Sequence, residues 1–155
     1  MRFYNYYIFY NNYKMNIIKK QDLEFGELNE NKILIILQKF FNSDSLIKTN
    51  NFNSYDYIDK KNKIIIELKS RRVFKNQYSD SMIGLNKITV GFKHIKNGYK
   101  VYLCFLFKDH LSYYKLDEET YKKEWQREGG RNDRNCNERS LLYTYIPIKL
   151  LTDIN

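Results

Sequence analysis

The chain has 155 residues, of which 43% are hydrophobic and 29% are charged, a composition that excludes a disordered chain and a coiled coil. Its length suits one globular domain, and its apolar runs, such as Ile33–Leu37, are too short for a membrane-spanning helix. The excess of 27 Lys and Arg over 18 Asp and Glu gives a net charge of +9, which favours a polyanionic partner.

The first half of the chain predicts one helix followed by three strands. Residues 1–14 are aromatic and Asn-rich without helical periodicity, so we expect either an edge strand or an N-terminal extension there. Apolar residues at helical spacing predict a helix over residues 27–41. Strands are expected at Ser45–Thr49, Tyr55–Ile58 and Lys63–Ser70, the last two joined by a turn at residues 59–62.

The second half predicts a helix, a central strand and a less regular tail. The expected elements are a helix at 79–95, a buried strand at 99–107, a strand at 111–116, a polar helix near 118–128, a mobile basic loop at 129–140, an extended segment at 143–148 and a closing turn or short helix at 148–154. This order predicts a single three-layer α/β domain over residues 1–155, with 111–155 as an irregular C-terminal extension packed on the core.

The two cysteines of the chain, Cys104 and Cys136, are too few for a disulfide framework and lack zinc-finger spacing. The N-terminus shows no secretory signal pattern. We therefore expect a reducing intracellular compartment, the cytoplasm or the nucleus. The abundance of Asn, Ile, Lys, Tyr and Phe, together with the absence of alanine, indicates an A/T-rich microbial or viral genome.

The segment from Tyr55 to Arg71 holds the charged residues that indicate chemistry. Glu67 and Lys69 follow three consecutive isoleucines and point to the same face of one strand. If Asp59 and Ile64 flank a four-residue turn, Asp56 lies directly opposite Glu67, with Cβ atoms about 5 Å apart. Two carboxylates at that distance repel each other unless a cation lies between them, and Mg²⁺ suits such a pair.

The step of eleven residues from Asp56 to Glu67, with Lys69 two residues later, resembles the motif of PD-(D/E)xK nucleases, although Tyr55 stands at the position of the proline. The predicted order of elements is similar to the αβββαβ core of that restriction-endonuclease-like superfamily, a mixed central sheet flanked by helices. The resemblance covers about residues 24–107. It implies metal-assisted hydrolysis of phosphodiester bonds.

The resemblance also implies a role for each residue of the site. Asp56 and Glu67, with the carbonyl of Leu68, would hold one or two Mg²⁺ ions, for which Mn²⁺ would substitute. Lys69 would position the attacking water and stabilise charge on the phosphate. Glu27, on the preceding helix, would join the metal site, with Glu30 one turn later as the alternative.

Basic residues around the motif are expected to bind the phosphates of the nucleic acid. Arg71 and Lys87 resemble the basic residues that follow the motif in these nucleases, and the other candidates are Arg72, Lys75, Arg127 and Arg131. For each of them, an ordinary solvated surface position is the competing interpretation.

The sequence therefore predicts a Mg²⁺-dependent endonuclease acting on DNA, of a repair, recombination or junction-resolving type. The alternative is a nuclease-fold module that binds nucleic acid without turnover. The motif does not distinguish DNA from RNA, and a homodimer is compatible with the resemblance.

Overall fold

The computed structural model describes residues 2–50, 53–129 and 141–155. Its first helix, α1, runs from Arg2 to Phe40, and the second, α2, from Leu85 to Lys96. The strands are β1 (Ile47–Lys48), β2 (Tyr57–Asp59), β3 (Ile64–Ser70), β4 (Asp80–Gly84), β5 (Lys100–Leu106), β6 (Leu111–Leu116), β7 (Gln126–Gly129), β8 (Leu141–Pro147) and β9 (Thr152–Asp153). Short 3-10 helices lie at Lys75–Gln77, Lys123–Trp125 and Ile148–Leu150.

A mixed six-stranded sheet in the order β1-β2-β3-β5-β6-β9 forms the centre of the fold. Strand β3 pairs in parallel with β5, and the other neighbours in this sheet are antiparallel. The order of elements α1-β1-β2-β3-α2-β5 matches the predicted αβββαβ core, with β4 inserted before α2. The predicted α/β class is therefore confirmed.

Two apolar cores cover the two faces of this sheet. Helix α1 places Ile33 and Leu37 against the face that carries Ile64, Ile66 and Leu68. On the opposite face, α2 and the β4 strand pack against a second cluster that includes Ile65, Val101, Leu103 and Phe105. Alternation along β3 assigns Glu67 and Lys69 to this second face, away from α1.

The β2–β3 hairpin has the predicted register. Tyr57 pairs with Ile66 and Asp59 with Ile64, on either side of a four-residue turn. Lys63 closes that turn with a φ of 55°, in the left-handed region. Continuing the same register by one residue places Asp56 across from Glu67.

The N-terminal segment does not form the edge strand that was one of the two alternatives, because the backbone of α1 is already helical at Arg2. The helix expected over 27–41 is only its C-terminal part. Hydrophobic periodicity in a sequence predicts a helix only where one face of that helix is buried. Leu23 and Leu28 of α1 are exposed, so this part of the helix lacks the pattern. Residues 2–25 also contain neither glycine nor proline to interrupt a helix.

Two further predicted helices are wrong in part or entirely. The segment expected to be helical at 79–95 begins as strand β4, and α2 starts only at Leu85. Ser81 and Ile83 are the buried residues of this strand, which pairs with β8, about 60 residues later in the chain. The polar helix expected near 118–128 is instead a turn, a 3-10 helix and strand β7, held by pairing with β8.

The tail beyond residue 116 forms more sheet than predicted. Strands β4, β8 and β7 form a separate three-stranded sheet, and β9 extends the central one. Within the part of the chain that the structure describes, no helix has both the length and the hydrophobicity needed to cross a bilayer. Most of the loop expected at 129–140 lies outside the described residues.

Candidate active site

Glu67 is a fully buried carboxylate in the middle strand of the main sheet. Two lysine ammonium groups neutralise it, one at each oxygen. Lys69 Nζ lies 2.5 Å from Oε1, and Lys87 Nζ, from α2, donates a hydrogen bond of 3.0 Å to Oε2. A buried carboxylate requires such partners, because its charge has lost its hydration.

Asp56 lies beside Glu67, fixed to the backbone of β3. Its amide donates to the Ile66 carbonyl at 3.1 Å, and its Oδ2 accepts a 2.7 Å hydrogen bond from the Leu68 amide. Burial and the neighbouring charge of Glu67 raise the pKa of Asp56 to about 7, although the Leu68 hydrogen bond and Lys69 act in the opposite direction. This carboxyl group therefore keeps its proton to a much higher pH than an ordinary aspartic acid does.

Asp56 and Glu67 are the residues whose oxygens could hold a divalent cation. In the described part of the chain, Glu67 Oε1 is a buried side-chain oxygen without a hydrogen bond, since the contact with Lys69 is an ion pair rather than a well-directed bond. The raised pKa of Asp56 and the buried Glu67 oxygen that lacks a hydrogen bond both favour a positive charge near the two acids. Mg²⁺ is commonly held by one or two carboxylates together with waters and substrate phosphate, which fits this pair.

The described residues contain no cluster of three or more His, Cys, Asp or Glu that could hold a metal by itself. A third acid, Glu30, nevertheless acts on the site, because its charge contributes to the raised pKa of Asp56. Glu30 lines a cavity of about 490 Å³ together with Asp56 and Lys69, and it pairs with Lys48 at 3.0 Å. The protein thus offers two carboxylates at the site and a third at its margin.

The structure does not bring Glu27 to this cavity. Its side chain is 64% exposed and lies 3.8 Å from Lys48, on the solvent side of α1. Glu30, three residues further along α1, is the acid of this helix that lines the cavity with Asp56.

Lys87, one of the predicted phosphate contacts, lies against the Glu67 carboxylate. Besides Glu67, it donates to the Ser54 carbonyl, and its ammonium is 5.8 Å from the centre of the Tyr55 ring. The Tyr55 hydroxyl in turn donates to the Lys87 carbonyl. Strand and helix are therefore joined at this point, a role that the spacing of Lys87 in the sequence did not indicate.

The other predicted phosphate-binding residues have partners within the protein. Arg71 donates to Ser81 Oγ and to the Met82 carbonyl, which ties β3 to β4. The remaining pairs are Arg72 with Asp22 at 3.2 Å, Lys75 with Asp153 at 2.5 Å, and Arg127 with Asp80 at 2.7 Å. Arg131 lies outside the described residues. Arg72 and Arg127 stay more than half exposed despite these ion pairs.

Comparison with known proteins identifies the family. The family model described as "Phage putative PDDEXK endonuclease" matches residues 27–154. The structure of Hjc, a Holliday junction resolvase from the archaeal hyperthermophile Archaeoglobus fulgidus, is similar with a TM-score of 0.46 and 10% sequence identity, covering 77% of this chain and 85% of the resolvase. A search of curated proteins finds no match. Since the family model spans most of the sequence, the chain belongs to the family of phage PDDEXK endonucleases.

Proposed function

We propose that the protein is a Mg²⁺-dependent endonuclease that hydrolyses phosphodiester bonds in DNA. The observation that carries this proposal is the convergence of Asp56, Glu67 and Lys69: Asp56 and Lys69 line one cavity, and Lys69 is ion-paired with the buried Glu67 directly behind it. The family supports endonuclease chemistry. The net charge of +9 supports a polyanionic substrate.

Asp56 and Glu67, together with the carbonyl of Leu68, are the groups that would hold the metal. A bound Mg²⁺ or Mn²⁺ ion would polarise the scissile phosphate and lower the pKa of a bound water. Asp56 must be ionised to serve as a ligand, so metal affinity should rise with pH as its carboxyl group loses its proton near pH 7.

Lys69 has a second task in this proposal. Its side chain is about one-third exposed, so the ammonium that lies against Glu67 Oε1 can also reach a molecule in the cavity. There it would orient the attacking water and donate to the phosphate oxygen on which negative charge develops. Lys87 would keep the Glu67 carboxylate oriented through Oε2.

Cleavage assays on supercoiled plasmid and on branched DNA would test the proposal. We expect cleavage with Mg²⁺ or Mn²⁺ and none with EDTA. Asp56→Asn, Glu67→Gln and Lys69→Ala should each reduce the rate by several orders of magnitude. In EDTA, Asp56→Asn and Lys69→Ala should keep DNA affinity close to that of the wild type.

Asp44→Asn is the matched control, because Asp44 is an exposed acid in the turn after α1. It should cleave at the wild-type rate. Wild-type cleavage by Asp56→Asn would contradict the assignment of the metal site. DNA binding without any metal-dependent cleavage by the wild type would instead support the alternative of an inactive binding module.

A further inference from the structure

We propose that an unpaired DNA strand binds along a row of aromatic rings that leads away from the carboxylates. This aromatic track consists of Phe25, Phe74 and Tyr145. It deepens the proposed function, on which it rests for the identity of the ligand, by naming the substrate class as DNA with a single-stranded segment beside the scissile phosphate.

Each ring of the aromatic track lies next to a cation. The Arg72 guanidinium is 4.6 Å from the centre of the Phe25 ring, and the Lys108 ammonium is 5.4 Å from that of Phe74. The Arg127 guanidinium is 4.0 Å from the centre of the Tyr145 ring. Aromatic rings that alternate with positive charge are the pattern by which proteins bind single strands, since bases stack on the rings and phosphates meet the cations.

The track is continuous with the candidate active site. Phe25 and Arg72 line the cavity that contains Asp56 and Lys69, and they also line a neighbouring cavity of about 440 Å³. A third cavity, of about 480 Å³, is bounded by Phe74, Tyr145 and Arg127. Arg71 borders all three cavities, and the segment of residues 71–78 that follows β3 runs between them.

The exposure of Phe74 suits an unpaired strand. Phe74 is 56% exposed, although aromatic side chains usually bury most of their surface. In a duplex the faces of the bases are already stacked on neighbouring bases. A base could stack on one of these rings only after its base pair had opened. A single strand presents its base faces at no such cost.

The acids beside the track do not prevent this use. Asp22 holds Arg72 over Phe25, and Asp80 holds Arg127 over Tyr145. Both guanidinium groups are 56% exposed, although Asp22 and Asp80 are mostly buried, so a phosphate can approach each guanidinium from the solvent side. The acids thus pre-orient the guanidinium groups over the rings.

Fluorescence of 2-aminopurine tests the proposal without turnover. The full-length wild type would be titrated, in EDTA, into single-stranded 12-mers, into a duplex with a single-stranded overhang and into a blunt duplex, each carrying the probe. Stacking on a ring should quench the probe in the unpaired segments, and the blunt duplex should show no quenching.

Phe25→Leu and Phe74→Leu keep an apolar side chain but remove the ring. Each should weaken single-strand binding about tenfold and leave blunt-duplex binding within about twofold of the wild type. Phe74→Tyr, which keeps an aromatic ring, should bind single strands and quench the probe as the wild type does. Phe40→Leu is the matched control, since Phe40 is a similarly exposed aromatic residue at the far end of α1, and it should bind like the wild type.

Equal losses for single-stranded and duplex DNA, or no loss for either Leu variant, would overturn the proposal. The readout is separate from cleavage. Quenching by a wild type that never cleaves would sustain the aromatic track and refute the proposed function. Cleavage of blunt duplex at the same rate as branched or overhanging DNA, without quenching, would refute the track and sustain the proposed function.

Discussion

Replacing Asp56 by Asn should stabilise the metal-free protein, and the gain should grow as the pH rises. The pKa of Asp56 is raised from its ordinary value of 3.8 to about 7, first by burial and then by the charge of Glu67. Between these two values the folded protein keeps a proton that the unfolded chain has released. The wild type therefore loses stability as the pH rises through this window.

The size of the effect follows from the same two values. Each factor of ten in proton affinity is worth about 1.4 kcal/mol, so the wild type should lose up to about 4 kcal/mol between pH 4 and pH 8. Asn has no charge to bury, and its side-chain oxygen can still accept the hydrogen bond from the Leu68 amide. We expect Asp56→Asn to be about 2–4 kcal/mol more stable than the wild type at pH 8 and nearly equal to it at pH 4, against a typical total of about 5–15 kcal/mol.

Urea unfolding in EDTA at several pH values between 4 and 8 would measure this difference, with Asp44→Asn as the control for removal of an exposed acid. Added Mg²⁺ should stabilise the wild type at pH 8 and have little effect on Asp56→Asn, because a bound cation replaces the proton as the neutralising charge. A variant that is less stable than the wild type at pH 8, or a gain that does not change with pH, would refute the reasoning.

Three further substitutions test other parts of the structure. Asp59→Ala should lower the free energy of unfolding in urea by about 2–4 kcal/mol at neutral pH, because two serine hydroxyls and a backbone amide lose their buried acceptor. Burial alone would raise the pKa of Asp59, but these hydrogen bonds hold it below its ordinary range. The loss of stability should therefore shrink as the pH falls below about 4. Glu30→Gln should lower the cleavage rate and the Mn²⁺ affinity about tenfold or more, whereas Glu27→Gln, which alters the other acid beside the same lysine, should change neither. Gly91→Ala should lower the thermal midpoint, since a Cβ there would lie 2.5 Å from the Tyr55 hydroxyl and force it to move, which costs more than the roughly 1 kcal/mol gained in helix propensity.

Local rules were sufficient to predict the hairpin of the candidate site. The turn between Asp59 and Ile64 spans four residues, and strand alternation then determines which side chains face each other. Both rules act within about fifteen residues, so the position of Asp56 opposite Glu67 followed from the sequence. The buried strand β5 was equally readable, because its residues are apolar on both faces.

Features that depend on distant parts of the chain were not predictable in the same way. Glu27 and Glu30 are three residues apart on one helix, and only the packing of α1 on the sheet decides which of them lines the cavity beside Asp56. Local sequence criteria predict that Arg71 is exposed. In the structure, β4 supplies the acceptors that hold its guanidinium group. Strand β4 itself forms because β8 pairs with it, and no local pattern reveals that partner.

The two edge strands of the central sheet affect the tendency of this protein to aggregate. Strands β3 and β5 are rich in Ile, Leu, Val and Phe, a composition that pairs readily with other copies in cross-β assemblies. The sheet is closed on both sides by strands of only two residues, β1 and β9, each of which carries a charged residue, Lys48 or Asp153. Such short, charged edges give an incoming strand few backbone groups to pair with, so the most aggregation-prone strands remain in the interior of the sheet.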